Sequence, residues 1–305
     1  MSLFDLLVDQ ALKNQSKLAP LRIVVEKELL HHDILREMSV AGLLKSLTFI
    51  GGTCLRACYG SSRLSEHLDF TGGTDFCRET LADLGQVLVQ RLEEKYSLHV
   101  SVSDPVRETG NVDTWKLKVV TRPGMSNMPM QRIHIDICAI PSYDHRPMML
   151  RNQYGVDMGT SGLIIQAQSR EEILADKVVS FALRPNRIKN RDLWDIGWLK
   201  QQSVSLPLEL VAMKVLDHRC TVDDFLTFLN DRVHRMQNSS GIRTAFINEM
   251  RRFLPPQIMR ETVEKADFWA YLTELIHGEC WKINDFSGEG QDGNKHGFSW
   301  HGKSP

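Results

Sequence analysis

An apolar run ends at Ile50 in Gly51-Gly52-Thr53, and a little farther on His67 and Asp69 stand two apart in a stretch of alternating polar and apolar residues. Glycine has no Cβ, so the backbone at Gly51 and Gly52 lets a ligand come close. Their N–H groups, at the mouth of a helix, are suited to holding phosphate. On a strand, residues two apart share a face. His67 and Asp69 then point one way, and Leu68 and Phe70 the other. A phosphate cradle beside a metal site is the arrangement these residues describe. Asp136 repeats the setting, set between Ile135 and Ile137 with His134 on its own face.

Lys177 falls one helical turn from Ile173 and Leu174 and one turn before Phe181, so it borders the apolar side of a helix. An ammonium in that position needs an anion to meet. Asp192 is in register with the apolar Ile196 and Leu199 and points inward, where Lys177 or Arg191 is a suitable partner. Charge near a helix N-terminus accounts for Asp195. Arg184, Arg187, Lys189 and Arg191 form a local basic cluster suited to triphosphate or RNA backbone. Simple solvation explains Arg184 and Lys189 equally well.

The elements that position these residues follow from periodicity. Residues 3–15 and 22–38 carry apolar residues at helical spacing, and Val40 to Leu47 reads as a third short helix. Leu81, Leu84, Leu88 and Leu92 make one stripe, a helix lying on a sheet. Alternation marks strands around Leu98–Val102, Trp115–Val119 and Ile133–Ile137. Strands with one interposed helix predict an α+β unit with a mixed sheet, residues 1–164. Beyond that the pattern is helical. Ser169 and Glu172 make a capping box, and Thr221 with Asp224 signals another helix start. Helices over 191–201, 206–216, 221–233, 242–253 and 259–276 predict a bundle filling 165–286. The polar, Gly-bearing tail 287–305 is expected to be loose.

Bulk properties exclude little. Lys and Arg number 37 against 38 Asp and Glu, so any basic surface is local. The six cysteines show no Cys-x-x-Cys spacing, which suits free thiols in a reducing compartment. No stretch approaches the ~20 apolar residues of a membrane span, and the N-terminus carries Asp5 and Asp9 rather than an apolar signal core. A soluble, cytoplasmic protein without membrane contact is expected.

The run Gly51-Gly52-Thr53-Cys54-Leu55, followed by Arg63-Leu64-Ser65-Glu66-His67-Leu68-Asp69-Phe70, resembles the AbiEii/AbiGii toxin family of the nucleotidyltransferase superfamily. The family pattern reads Gly-Gly-Thr-x-Leu, then Arg-x-Ser-Glu-Asp-(Leu/Ile)-Asp-Phe. One position departs from it: His67 stands where the first Asp usually sits. Glu172 to Lys177 matches the family's Glu-x-Leu-x-x-Lys, and Arg187 to Asp195 is similar to its last motif. The resemblance implies a nucleotidyltransferase-like sheet followed by a helical bundle, with the active cleft between them. It also implies transfer of a nucleoside monophosphate from an NTP to a hydroxyl, an RNA or tRNA 3′ end, in a toxin–antitoxin system with a cognate antitoxin. A protein or small-molecule acceptor is the alternative, as is a non-catalytic nucleotide-binding relative.

By the same resemblance Asp69 and Asp136 hold Mg²⁺ or Mn²⁺, or Asp136 takes the proton of the attacking hydroxyl. Gly51, Gly52, the Thr53 hydroxyl and Lys177 contact the triphosphate. Asp192 helps organise the nucleotide pocket, and Arg187 and Arg191 bind the nucleotide. Arg63 pairs with phosphate or carboxylate, and Ser65 supports the turn. His67 ligates Mn²⁺ in place of a carboxylate, orients a water or phosphate, or weakens the site, since imidazole suits transition metals better than Mg²⁺. His67, Asp69, His134 and Asp136 together would make a two-His, two-Asp metal cluster, but a packed or surface imidazole is the better reading of His134. Glu26-Lys27 fits the place of the family's Glu-Lys on the helix that stacks against the sheet; an exposed helix surface explains it as well.

Overall fold

A computed structural model describes residues 2–103, 105–109, 111–124, 130–185 and 187–292. Its chain divides into two compact units, Met1–Ser169 with Arg252–Gln257, and Arg170–Arg251 with the chain from Ile258 onward.

In the first unit, α1 (Leu3–Asn14) starts at a capping box between Ser2 and Asp5, and α2 (Arg22–Val40) follows. The expected third helix over 40–47 is instead a set of turns. Gly42 has φ +75, and the Leu43 N–H reaches back to the Met38 carbonyl at 2.8 Å, a Schellman closure of α2. Strands β1 (Thr48–Ile50) and β2 (Leu68–Thr71) flank the short α3 (Gly51–Cys54). Then come α4 (Leu84–Tyr96), β3 (Val100–Val102), β4 (Val106–Thr109), β5 (Val112–Val119), β6 (Gln131–Cys138), β7 (His145–Met149) and β8 (Ile164–Gln168).

The strands form one mixed sheet in the order β3-β5-β6-β2-β1-β8-β7, with β4 also on β5. The central β2–β6 and β1–β8 pairs are parallel and the others antiparallel. The reading of residues 165 onward as helical is corrected by β8 (Ile164–Gln168). Its Ile165 and Ala167 are buried, and Phe49 of β1 is in register with Ala167. The interleaved Gln166 and Gln168 conceal the strand in a sequence that elsewhere turns helical.

One sheet face is apolar. Leu68, Phe70, Ile133, Ile135, Ile137, Trp115 and Leu117 are all buried. Burial of each such side chain stabilises the fold by roughly 1.5–3 kcal/mol. Glu26 of α2 is 1% exposed and accepts from Gln131, which shares parity with those isoleucines, so α2 packs on this face. Glu26 is therefore no surface residue. The opposite parity carries the polar residues.

In the second unit, α5 (Arg170–Leu183) contacts α6 (Asn190–Gln201), α7 (Leu208–Asp217) and α8 (Val222–Asn238). The unit continues through α9 (Ser240–Met250), the single turn α10 (Pro256–Ile258) at the join, and α11 (Ala266–Asp292). Thr221 caps α8 as expected, accepting from the Asp224 N–H at 3.2 Å. The Ser169 N–H goes to the Asp144 carbonyl at 2.8 Å, and Glu172 is buried against the Lys214 ammonium at 2.5 Å. Helix α11 carries order to Asp292, past the expected end at 286. The rest of the expected tail lies outside the described residues.

Candidate active site

Asp69 on β2 and Asp136 on β6 are register partners in a parallel pair. Carboxylates from distant parts of the chain are thus side by side on the polar face. Both are half-buried. Thr114 on β5 is opposite Asp136 and donates to its Oδ1 at 2.7 Å, which fixes that carboxylate. Gly51 closes the other side. Its φ is +75, and a Cβ placed there would lie 3.0 Å from Asp69 Oδ2. Glycine is required here twice over, for the left-handed backbone and for the close approach.

The segment joining α3 to β2 is clasped from behind. Thr53 Oγ1 is 2.6 Å from Ser65 Oγ and also donates to the His67 carbonyl. This corrects the expected role of the Thr53 hydroxyl as a phosphate donor, because it is buried and engaged within the chain. The Ser65 N–H donates to Glu28 at 2.8 Å, consistent with turn support. Arg63 is 3% exposed and donates from Nη1 to the Leu64 carbonyl at 3.0 Å. A guanidinium buried to this degree faces the chain and not a solvent-borne phosphate, which bears against the phosphate half of its expected pairing with phosphate or carboxylate. Lys27 meets Glu66 at 2.7 Å, tying α2 to the residue before His67.

His67 precedes β2 and stacks on His134 with ring centroids 4.6 Å apart. Its Nδ1 accepts the His134 backbone N–H at 3.1 Å. Burial, reinforced by His134, pushes its pKa down to about 3, so the ring is neutral. With Nδ1 accepting, the single ring proton sits on Nε2, which is then a donor and not a ligand. The arrangement does not provide the expected metal-ligating His67. His134 is the packed imidazole expected.

In the second unit Lys177 is buried between two carboxylates, Asp192 at 2.5 Å and Asp195 at 3.1 Å. Burial raises the Asp192 pKa, but the Lys177 ammonium outweighs it and holds the carboxyl well below the usual range. Asp195 is 0% exposed, which corrects its reading as helix-end charge. Arg191 pairs with Glu249 at 3.1 Å instead of Asp192. Arg187 is exposed, and its backbone N–H turns back to the Pro185 carbonyl. Lys189 lies 3.8 Å from Asp192, so it is not merely solvated.

Among the described residues no three His, Cys, Asp or Glu side chains converge as a metal cluster. The donor set at Asp69 and Asp136 still fits a hard divalent ion. Mg²⁺ is commonly held by one or two carboxylates, with substrate phosphates and water completing its shell. Thr114 and Glu28 are site supports that the sequence does not single out. Each is read only through its partner across the sheet or on α2; the alternation that puts Thr114 on a strand does not say which strand it faces.

The family model for the nucleotidyl transferase AbiEii toxin, type IV toxin–antitoxin system, matches residues 33–274. The chain belongs to this family. It is a nucleotidyltransferase of the toxin half of a type IV toxin–antitoxin pair, a class that implies an NTP substrate and an antitoxin partner. Among solved structures it is similar to MenT4, a nucleotidyltransferase toxin of Mycobacterium tuberculosis H37Rv, at 16% identity over 90% of this chain and 88% of that one, with a TM-score of 0.52. That likeness bears on the fold. JHP933 from Helicobacter pylori matches at 16% identity over 88% of this chain and 97% of its own, with a TM-score of 0.47. No curated protein matches the chain. Among the described residues no helix is long and apolar enough to cross a membrane.

Proposed function

We propose that this nucleotidyltransferase moves a nucleoside monophosphate from an NTP to the 3′ hydroxyl of an RNA, tRNA included, with a divalent ion held by Asp69 and Asp136. The observation that carries the reading is the register of those two carboxylates, with Gly51 against one and Thr114 bonded to the other. The acceptor oxygen attacks the α-phosphorus as the bond to the β-phosphate oxygen breaks. Pyrophosphate leaves, and the hydroxyl proton passes to Asp136 or to solvent. Bound at this pair, Mg²⁺ or Mn²⁺ offsets the negative charge on the triphosphate. The backbone of Gly51 and Gly52 approaches the phosphates, with no Cβ to obstruct it. His67 donates from Nε2 to water or phosphate oxygen in place of a third acid. Lys177 and Asp192 stand at the positions of the family's nucleotide-pocket residues, with the Lys177 charge already met by Asp192 and Asp195, and Arg187 is the exposed cation of that stretch.

The test is incubation with labelled NTPs, Mg²⁺ or Mn²⁺ and total tRNA. Label on RNA is expected. Asp69→Asn and Asp136→Asn should each cut transfer by roughly a hundredfold or more, since lost charge stabilisation of a few kcal/mol is worth that factor. Retention of wild-type rates in either variant overturns the metal assignment. Label confined to protein overturns the RNA acceptor.

A further inference from the structure

The carboxylate pair lies at one end of a longer polar surface. Along the antiparallel β5–β6 pair, Thr114 is opposite Asp136, Lys116 opposite His134, and Lys118 opposite Arg132. These positions alternate with buried Trp115, Leu117, Ile133 and Ile135. All six therefore project from the face that carries Asp69 and Asp136. Lys116, Lys118 and Arg132 make a basic strip that starts one pleat from Asp136 and ends four residues along β6, about 13 Å away. Lys118 and Arg132 are exposed, and no ion pair to either occurs among the described residues. Six other cations of this unit, Arg22, Lys27, Arg36, Arg56, Lys95 and Arg122, by contrast meet carboxylates.

Like charges directly opposite across strands are destabilising. The facing of Lys118 and Arg132 therefore works against the sheet unless an anion binds both. With 37 basic against 38 acidic residues in the chain, the strip is a local feature and not a by-product of overall charge. We propose that it holds the phosphate backbone of a single-stranded RNA, laid along β5 and β6 so that its 3′ end arrives at Asp69 and Asp136. The proposal rests on the nucleotidyl-transfer reading above and assigns its acceptor a path. A basic strip only two strands wide, leading to the reactive pair, suits one strand rather than a duplex. An acidic protein segment is the competing occupant.

The test compares wild type with the double variant Lys118→Ala, Arg132→Ala, both exposed sites, by fluorescence anisotropy of a labelled single-stranded RNA oligonucleotide over a range of salt. Binding should weaken about tenfold or more. The slope of log K against log salt should become shallower by about 0.7 for each phosphate that is no longer neutralised. The charge-conserving Lys118→Arg, Arg132→Lys variant should recover most of the affinity, with NTP binding, titrated separately, the same in all three. Unchanged RNA affinity and slope in the double variant overturn the strip and leave the RNA acceptor standing. A wild-type protein that binds no RNA and labels protein overturns both.

Discussion

Gly51 shows how much a single residue decides. It holds φ +75 at the mouth of α3 and leaves 3.0 Å between the site of an absent Cβ and Asp69 Oδ2. Gly51→Ala should destabilise the fold by about 1–2 kcal/mol through the left-handed backbone alone. It should also displace the Asp69 carboxylate and reduce transfer more than the stability loss explains. Urea midpoints and labelled-NTP turnover on the same preparation would separate the two effects. Gly51 and Asp69 are both legible in the sequence, one from its place after an apolar run and the other from period-two alternation. Thr53 and Arg63 are not. A motif gives the identity of a residue but not whether its side chain turns toward ligand or back into the chain, and both of these turn inward.

Helix α2 illustrates what is hidden at the level of elements. Its periodicity is plain, yet its burial is not, because Glu26, Glu28, His31, His32 and Asp33 all lie inside. Glu28 accepts from Arg56 at 3.0 Å and from the Ser65 N–H at 2.8 Å, and also from the Tyr154 hydroxyl. One carboxylate thus joins α2, the helix after β1, the turn leading to Asp69, and the loop after β7. Removing one partner of a buried ion pair leaves an uncompensated charge. Glu28→Ala should therefore cost about 3–5 kcal/mol, read as a fall in the denaturant midpoint, whereas Glu94→Ala on the exposed side of α4 should change it little. None of this is visible without the fold, since Glu28 and Tyr154 lie 126 positions apart. The sheet itself is legible where strands alternate cleanly, as in β5 and β6. It is lost where glutamines interrupt β8 or where β7 lies at an exposed edge.

At the scale of the molecule, stability should depend on pH in a defined direction. Burial pushes the pKa of His31 down to about 4 from an ordinary 6.5. The unfolded chain then takes up the proton first. This contribution is complete above about pH 6.5 and is lost progressively as pH falls toward 4, at about 1.4 kcal/mol per pH unit. Asp192, held down by Lys177, keeps its contribution through that window and loses it only below the ordinary carboxylate range. Denaturant midpoints at pH 7.5, 6, 5 and 4.5 should fall below about pH 6.5, and His31→Leu should flatten the decline. An unchanged pH profile in that variant would discount the assignment.

The sheet-bearing unit borrows Arg252–Gln257 from far downstream. There the Phe253 carbonyl receives the Leu64 N–H at 2.9 Å, Phe253 and Leu254 are buried, and Arg252 lies 3.7 Å from Glu66. The stretch that aims Asp69 is thus finished by residues the ribosome adds more than 180 positions later. A nascent chain halted before that segment emerges carries every acid and glycine of the site but lacks the brace behind them.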